Sequence, residues 1–389
     1  MTDAKLDRIR AYQEELAAIR RDIHAHPELG MEEYRTSDLV AAKLAEWGIE
    51  VHRDVGKTGV VGVLRNGNGQ AAIGLRADRD ALPIQEATGL PYASRTPGVM
   101  HACGHDGHTT ILLGAAKYLA ETRNFNGTVN LIFQPAEEGL GGAEAMLKDG
   151  LFQRFPCDAI YGLHNSPGLD VGRFVSSSGA RFAGCAFFDI HITGKGAHGA
   201  RPNEGIDPVM VAAHLATALQ TIVSRNLPAQ DAAVLSVTRI QSGDAYNVVP
   251  ETAVLAGTVR CFKTAIMETI ETNMRRLATS VATGFGAEAE VAFRRLFAPV
   301  INDKAEAALY ADAAEAVTGP NRVFREMPPT MASEDFGAMM EVVPGAHVHF
   351  GNGPSAGVHN HRYDFNDEAI PYAAALFAEI AERKLRTEA

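Results

Sequence analysis

The chain has 389 residues, 46% of them hydrophobic and 21% charged, with 36 Lys and Arg against 47 Asp and Glu for a formal net charge of −11. At about 100–200 residues per domain the length gives two domains, and the composition excludes wholesale disorder, collagen and coiled coil. The acidic balance argues against general nucleic-acid binding, which needs a basic footprint, and no apolar run approaches the roughly 18–20 residues that span a bilayer. Lys5, Arg8 and Arg10 stand beside Asp3 and Asp7 with no apolar core behind them, which is not the pattern of a secretory leader. Cysteines at 103, 157, 185 and 261 are too sparse for a disulfide scaffold, so a cytoplasmic, reducing compartment is expected.

In chain order, Leu6, Ile9, Leu16, Ile19 and Ile23 have helical spacing, ended by Pro27 and Gly30. A second helix is predicted from Ser37 to Trp47, stopped by Gly48. Short runs rich in Val and Ile follow at Val60–Leu64 and Ala72–Leu75, then a helix from His108 to Glu121. Apolar runs at Val129–Phe133 and Ala159–Leu163 lead into Gln134-Pro135 and into His164. Strands alternating with helices, with polar residues where strands end, predict an α/β sheet with its site at one edge.

Residues 186 to 297 have a different rhythm: strand Phe187–Thr193, helix Pro208–Asn226, strands Val234–Ile240 and Ala253–Phe262, helix Thr264–Thr283 and strand Glu290–Leu296. That βαββαβ order is ferredoxin-like. The α/β pattern then resumes with helix Ala305–Val317, strand Ala346–Phe350 and helix Ala369–Leu385. The expected organisation is a discontinuous mixed-sheet domain (1–182 and 298–389) with an inserted domain (183–297).

The strongest local signal is residues 100–108, Met-His-Ala-Cys-Gly-His-Asp-Gly-His, with three imidazoles and a thiol in a Gly-flanked turn. Apolar packing does not explain such a density of polar groups, and thiolate with imidazole suits zinc and similar divalent ions. Glu137-Glu138 follows a strand that looks buried. On a continuing strand the two side chains would face opposite ways, whereas a turn could aim both inward. One carboxylate could then ligate an ion while the other moves protons; a solvated surface pair is the competing reading. Arg76-Ala77-Asp78-Arg79-Asp80 also ends a strand, where an Asp can hold a ligating histidine or merely cap a turn. His164 and His359 complete a set with Cys103, His105 and Glu138. Five protein ligands at strand ends fit a pair of metals better than one closed tetrahedral site.

These motifs together resemble the amidohydrolase branch of the aminoacylase and carboxypeptidase-like metallopeptidases, which includes hippurate hydrolases, auxin-conjugate hydrolases and N-acyl-amino-acid hydrolases. The resemblance spans nearly the whole chain. It runs from Arg20-Arg21-Asp22-Ile23-His24-Ala25-His26-Pro27 through the blocks just described to Gly196-Ala197-His198-Gly199, Asn247-Val248-Val249-Pro250, Gly257-Thr258-Val259-Arg260, Ser333-Glu334-Asp335-Phe336 and residues 357–367. It implies that Cys103, His105, Glu138, His164 and His359 hold two divalent ions, manganese or zinc, with cobalt or nickel allowed. It implies Glu137 as general base, Asp78 as supporting aspartate, and Asn247 and Arg260 as receivers of the substrate carboxylate. Arg76 stands where the wider clan often has a metal-binding histidine, and Cys103 replaces the bridging Asp of other branches. The inserted domain is expected to be a lid and dimerisation domain whose His198 reaches a neighbouring subunit's site and stabilises the tetrahedral oxyanion. A homodimer, or a homotetramer, is implied, with no nucleic-acid or membrane partner. The expected reaction is amide hydrolysis of a small N-acyl-L-amino acid such as hippurate or an auxin conjugate. Alternatives are a deacetylase of N-acetyl-diaminopimelate, a dipeptidase, and a metal-binding protein without turnover.

Overall fold

A computed structural model describes residues 4–386. Residues 1–3 and 387–389, the outer ends of the first domain as read from the sequence, lie outside the described residues. The chain divides into two compact units, Met1–Arg181 with Ile301–Pro328 and Ala338–Ala389, and Phe182–Val300 with Pro329–Gly337. Residues 329–337, assigned to the first domain by the sequence reading, therefore group with the second. Phe182 bridges Thr330, and the Ala183 N–H donates to the carbonyls of Thr330 at 3.2 Å and Ala332 at 2.9 Å. Such an association is made by backbone groups and leaves no hydrophobic period in the sequence.

In chain order the helices of eight or more residues, with one shorter N-terminal piece, are α1 (Ala4–Arg10), α2 (Gln13–Ala25), α3 (Tyr34–Glu46), α4 (His105–Thr122), α5 (Pro208–Arg225), α6 (Thr264–Gly284), α7 (Lys304–Thr318) and α8 (Ile370–Lys384). The main strands are β1 (Glu50–Val55), β2 (Gly59–Asn66), β3 (Ala72–Asp78), β4 (Gly127–Gln134), β5 (Ala159–Ser166), β6 (Phe174–Val175), β7 (Gly184–Thr193), β8 (Ala233–Gln241), β9 (Thr252–Cys261), β10 (Glu288–Phe297), β11 (Val323–Phe324) and β12 (Gly345–Gly351).

The first unit is built on an eight-stranded sheet of order β1-β2-β4-β3-β5-β12-β6-β11. Its centre is parallel, β3 pairing with β4 and β5, and β5 with β12. Alternation sorts the side chains of these strands. Leu75, Ala77, Leu131, Phe133, Tyr161, Leu163, Ala346, Val348 and Phe350 join the hydrophobic core shared with α2, α4, α7 and α8. Arg76, Asp78, Gln134, His164, His347 and His349 occupy the alternate positions and so face the other way. The C-terminal ends of the parallel strands carry Asp78, Gln134 and His164, so the sheet edge that the sequence predicted for chemistry is the one that collects it.

The single helix predicted from Leu6 to His24 is two helices. The Ala11 N–H turns back to the Asp7 and Arg8 carbonyls, and the Tyr12 hydroxyl meets Glu121. Apolar spacing persists across the break, which is why periodicity does not show it. Strand β1 has no sequence signal because its residues are largely polar and exposed at a sheet edge.

Helices α2 and α4 are tied by buried charge. His24 Nδ1 lies 2.8 Å from Asp106 Oδ2, and Arg20 Nη1 reaches the same oxygen at 3.5 Å while its Nε donates to Asp367 Oδ1 at 2.7 Å. Burial alone would lower the His24 pKa, but Asp106 and Glu86 outweigh it and raise it to about 9. A histidine whose folded pKa is raised contributes stability that is fully present below its unfolded value and is lost as pH rises through the folded one. Between pH 6.5 and 9 the unfolding free energy should therefore fall by about 3 kcal/mol from this group. Denaturant titrations across that window should show the slope in the native chain and a shallower one in His24→Gln.

The second unit is an antiparallel sheet of order β8-β9-β7-β10 with α5 and α6 against one face. Phe188, Ile190, Ile192, Leu255 and Val259 interleave with Leu215, Leu219, Ile270 and Met274. The observed order β7-α5-β8-β9-α6-β10 is the expected βαββαβ arrangement. Pro208 opens α5 behind Asp207, whose carboxylate accepts the Val209 N–H at 2.9 Å.

Candidate active site

The cluster grows from the loop that enters α4. Gly104 sits at φ +89°, and a Cβ there would fall 2.4 Å from the Tyr363 hydroxyl and 2.5 Å from Asn165 Nδ2. Only glycine fits both the left-handed backbone and the close approach. Asn165 Nδ2 donates to the Cys103 carbonyl at 2.6 Å, and Tyr363 donates to Asn165 Oδ1 at 2.8 Å. The thiol is thereby held at the mouth of α4. The helix begins at His105, three residues before the predicted start, so His105 and His108 share its first turn. Gly107 in that turn hides the helix from propensity, and it is required because a Cβ would lie 2.2 Å from the Phe365 ring.

His105 and His164 each have one ring nitrogen committed outside the cluster. His105 Nδ1 lies 3.2 Å from Asp80 Oδ1, while its Nε2 is buried with no hydrogen-bond partner. His164 Nδ1 meets the Asn165 carbonyl at 2.8 Å and so carries the proton, leaving Nε2 at 3.3 Å from Cys103 Sγ. His359, at φ +62°, donates its backbone N–H to Ala102 O at 2.7 Å, and its Nε2 is 3.1 Å from Glu138 Oε1. A carboxylate or carbonyl behind one imidazole nitrogen is how proteins aim the other at a metal.

The two glutamates follow β4 through a left-handed Ala136 at φ +52°, pinned where its N–H donates to Glu33 Oε1 at 2.8 Å. Ala136 breaks the strand alternation, and the carboxylates of Glu137 and Glu138 both lie within 4.8 Å of His105 Nε2 or Nδ1 and of each other. The Glu138 N–H donates to Asp80 Oδ2 at 2.9 Å. Asp80 thus fixes both His105 and Glu138. The sequence reading gave this role to an Asp of the 76–83 block without choosing between Asp78 and Asp80; the contact to His105 Nδ1 belongs to Asp80. The Asp-x-Asp spacing at the strand end was the available signal.

Asp78 is buried at the end of β3, with Oδ1 at 2.6 Å from His108 Nδ1 and 3.8 Å from His105 Nε2, and Oδ2 accepting Arg76 Nη1 at 2.7 Å. His108 Nε2 accepts the Asn165 N–H at 3.0 Å, so its proton is on Nδ1, facing Asp78. Burial opposes ionisation of Asp78, but His105, His108 and Arg76 hold it well below the usual carboxylate range. His108 itself is lowered to about 4, chiefly by burial. It is the imidazole of the 100–108 motif that supports the aspartate, a role that sequence reading did not assign.

Among the potential ligand groups, two triads contain the thiol, Cys103–His105–His164 and Cys103–Glu138–His359, each with its donor atoms within 4.8 Å of one another. Burial and then Glu138, Glu137 and Asp78 push the Cys103 thiol well above its ordinary value. A thiolate here requires a cation. Burial would lower His105, but Asp78, Asp80 and Glu138 raise it to about 10. The unpartnered His105 Nε2, the acid-rich surroundings and the soft and hard donors together fit divalent ions.

In the second unit, His198 is exposed on a two-residue strand, Ala197–His198, paired with Val248–Val249. Its Nδ1 accepts the Ala200 N–H at 3.0 Å, so Nε2 carries the proton. The Asn247 carbonyl accepts the Gly199 N–H at 2.7 Å, which places Asn247 beside the His198 turn. Arg260 lines a groove of about 400 Å³ on the open face of the sheet with Phe187, Asp189, Arg239 and Arg294. Its guanidinium donates to the Val259 carbonyl at 3.0 Å and to the Thr258 hydroxyl. Glu334 and Asp335 are buried in the same unit, Glu334 Oε1 accepting the Phe336 N–H at 3.1 Å.

Residues 74–383 match the family model for peptidase family M20/M25/M40. The chain belongs to that family. It is 44% identical to the hippurate hydrolase of Campylobacter jejuni over 96% of this chain and 97% of the relative. It is 39% identical to an IAA-amino acid hydrolase of Arabidopsis thaliana over 95% of this chain and 86% of that one. The crystal structure of a dinuclear metal-binding M20 peptidase from Bacillus subtilis superposes with a TM-score of 0.86 at 35% identity, covering 97% of this chain and all of the other. The protein is accordingly a metal-dependent M20 hydrolase of the amidohydrolase branch. Among the described residues no helix is long and apolar enough to cross a membrane.

Proposed function

We propose that this M20 enzyme hydrolyses the amide of N-acyl-L-amino acids, of the hippurate or auxin-conjugate kind, releasing a carboxylic acid and an amino acid. The observation that carries the reading is the pair of triads sharing Cys103, with Glu137 against them. The substrate class is supported by the relatives, whose names are hippurate hydrolase and IAA-amino acid hydrolase.

Cys103, His105, Glu138, His164 and His359 would hold two divalent ions, manganese or zinc, with cobalt or nickel as further occupants. Bound there, the ions supply Lewis acidity to the amide carbonyl and make water more acidic. Glu138 is the ligand of the glutamate pair, because it faces both Cys103 and His359. Glu137, buried and adjacent, takes a proton from the attacking water on a carboxylate oxygen and returns it to the departing nitrogen. As the water oxygen bonds to the carbonyl carbon, negative charge collects on the former carbonyl oxygen, and that electron pair re-forms the C=O bond as the C–N bond breaks and the amine leaves. His198 Nε2–H, from a second copy of the chain in a homodimer or homotetramer, donates to that oxygen. Arg260 and Asn247 receive the substrate carboxylate, Arg260 through a paired N–H fork. Asp78 keeps charge and orientation fixed beside His105. The cytoplasm is the proposed compartment, since Cys103 and the other thiols need a reducing medium.

The test is amino-acid release from N-benzoylglycine, several N-acetyl-L-amino acids, N-acetyl-diaminopimelate and an indoleacetyl-amino acid, after chelation and after reloading with manganese or zinc. Metal-dependent release is expected, and the preferred member identifies the acyl group. Preference for N-acetyl-diaminopimelate would reassign the enzyme as a biosynthetic deacetylase, and no release from any member would overturn the proposal.

A further inference from the structure

We propose that Arg181 and His349 form an anion-recognition arm beside the candidate metal centre, so that the enzyme favours N-acyl amino acids bearing a second carboxylate. The inference rests on the reading that such amides are cleaved at the Cys103 cluster.

Arg181 is 1% exposed, in the first unit. Its Nη1 donates to Ser177 Oγ at 2.9 Å and to the Met327 carbonyl at 3.2 Å, its Nη2 meets His349 Nδ1 at 3.1 Å, and its Nε has no hydrogen-bond partner. Every one of those partners is neutral. The other fully enclosed arginines differ: Arg20 has Asp106 and Asp367, Arg76 has Asp78, and Arg79 feels Glu33, Glu28 and Asp80. At Arg181 burial acts on the charge with no acidic residue opposing it among the described residues. An enclosed cation without a counter-charge is unfavourable in a protein interior, and an incoming anion would relieve it.

His349 is the route to it. A guanidinium has only donors, so His349 Nδ1 must accept and the imidazole proton must sit on Nε2. Donation to Nδ1 also polarises the ring and strengthens Nε2–H as a donor. His349 is half-buried, where Arg181 is enclosed. It stands in register with His164 on the adjacent parallel strand, the two rings 6.3 Å apart, and His164 touches Cys103. An anionic substrate group held at His349 therefore lies one side chain from the metal cluster, with the Arg181 charge one hydrogen bond behind. A carboxylate suits this geometry, and it could sit on the acyl group or on the amino-acid side chain.

Two substrate pairs separate these sources, each differing by one charge: N-succinyl-glycine against its terminal monoamide, and N-acetyl-L-glutamate against N-acetyl-L-glutamine. The charged member of one pair should show a kcat/KM at least tenfold above its neutral partner, expressed mainly in KM. That ratio should fall toward one in Arg181→Gln and in His349→Phe, and Arg181→Lys should keep part of it. Because each ratio is taken within one protein, a reduced folded fraction cancels. Ratios near one for both pairs in the native enzyme, or a preference that survives both Arg181→Gln and His349→Phe, would overturn the inference. Failure to hydrolyse any substrate, N-benzoylglycine included, would remove the N-acyl-amino-acid reading, and this inference with it.

Discussion

Glu137→Gln should lower kcat by about 100- to 10,000-fold, the usual worth of a positioned general base, while both ions stay bound. Glutamine keeps the shape and a hydrogen-bonding oxygen but cannot take a proton from water near neutral pH. The geometry makes this a sharp test. Glu137 lies with Glu138 and His105 in one potential ligand group, so a ligand role is the competing assignment. Metal content per chain, measured after dialysis, separates the two. Loss of activity with full metal content supports the base, and loss of both would make Glu137 a ligand.

Cys103→Ala should bind less than one ion per chain under conditions where the native enzyme binds two. His164→Ala and His359→Ala should each retain about one ion. The reason is that Cys103 belongs to both triads, whereas His164 and His359 belong to one each. Chelation of the native protein should abolish turnover and lower Tm. Asp78, Asp80, Glu137 and Glu138 crowd the site, and removal of the cations leaves their repulsion unbalanced. Reloading with manganese or zinc should restore both. Loading should also release protons, because burial and the neighbouring carboxylates keep the Cys103 thiol protonated until a cation arrives. Two ions on Cys103→Ala would show that the thiol does not bridge them.

Much of this protein was legible before any coordinates. The βαββαβ order of the second unit follows from period-two and period-3.6 patterns that burial imposes on strands and helices, and the structure has that order. The ligand candidates were legible because their types are chemically conspicuous: thiol, imidazole and paired carboxylates after apolar strands. The structure brings Cys103, His105, Glu137, Glu138, His164, His359 and Asp78 together at the C-terminal edge of β3, β4 and β5.

What sequence could not decide is which partner each polar group takes. Asp78 and Asp80 are equivalent in a list of residues, yet Asp80 orients His105 and Glu138 while Asp78 is engaged by Arg76 and His108. The split between α1 and α2, the polar edge strand β1 and the transfer of residues 329–337 to the second unit are likewise set by backbone hydrogen bonds, which no side-chain period records. Arg181 and His349 illustrate the limit most plainly. They stand 168 positions apart, and nothing local marks either one. Apolar periodicity is written in the chain because each residue meets solvent or core by its own position in an element. The pairing of a buried charge depends on which distant segments the fold brings within about 3 Å, and that is fixed only when the tertiary structure closes.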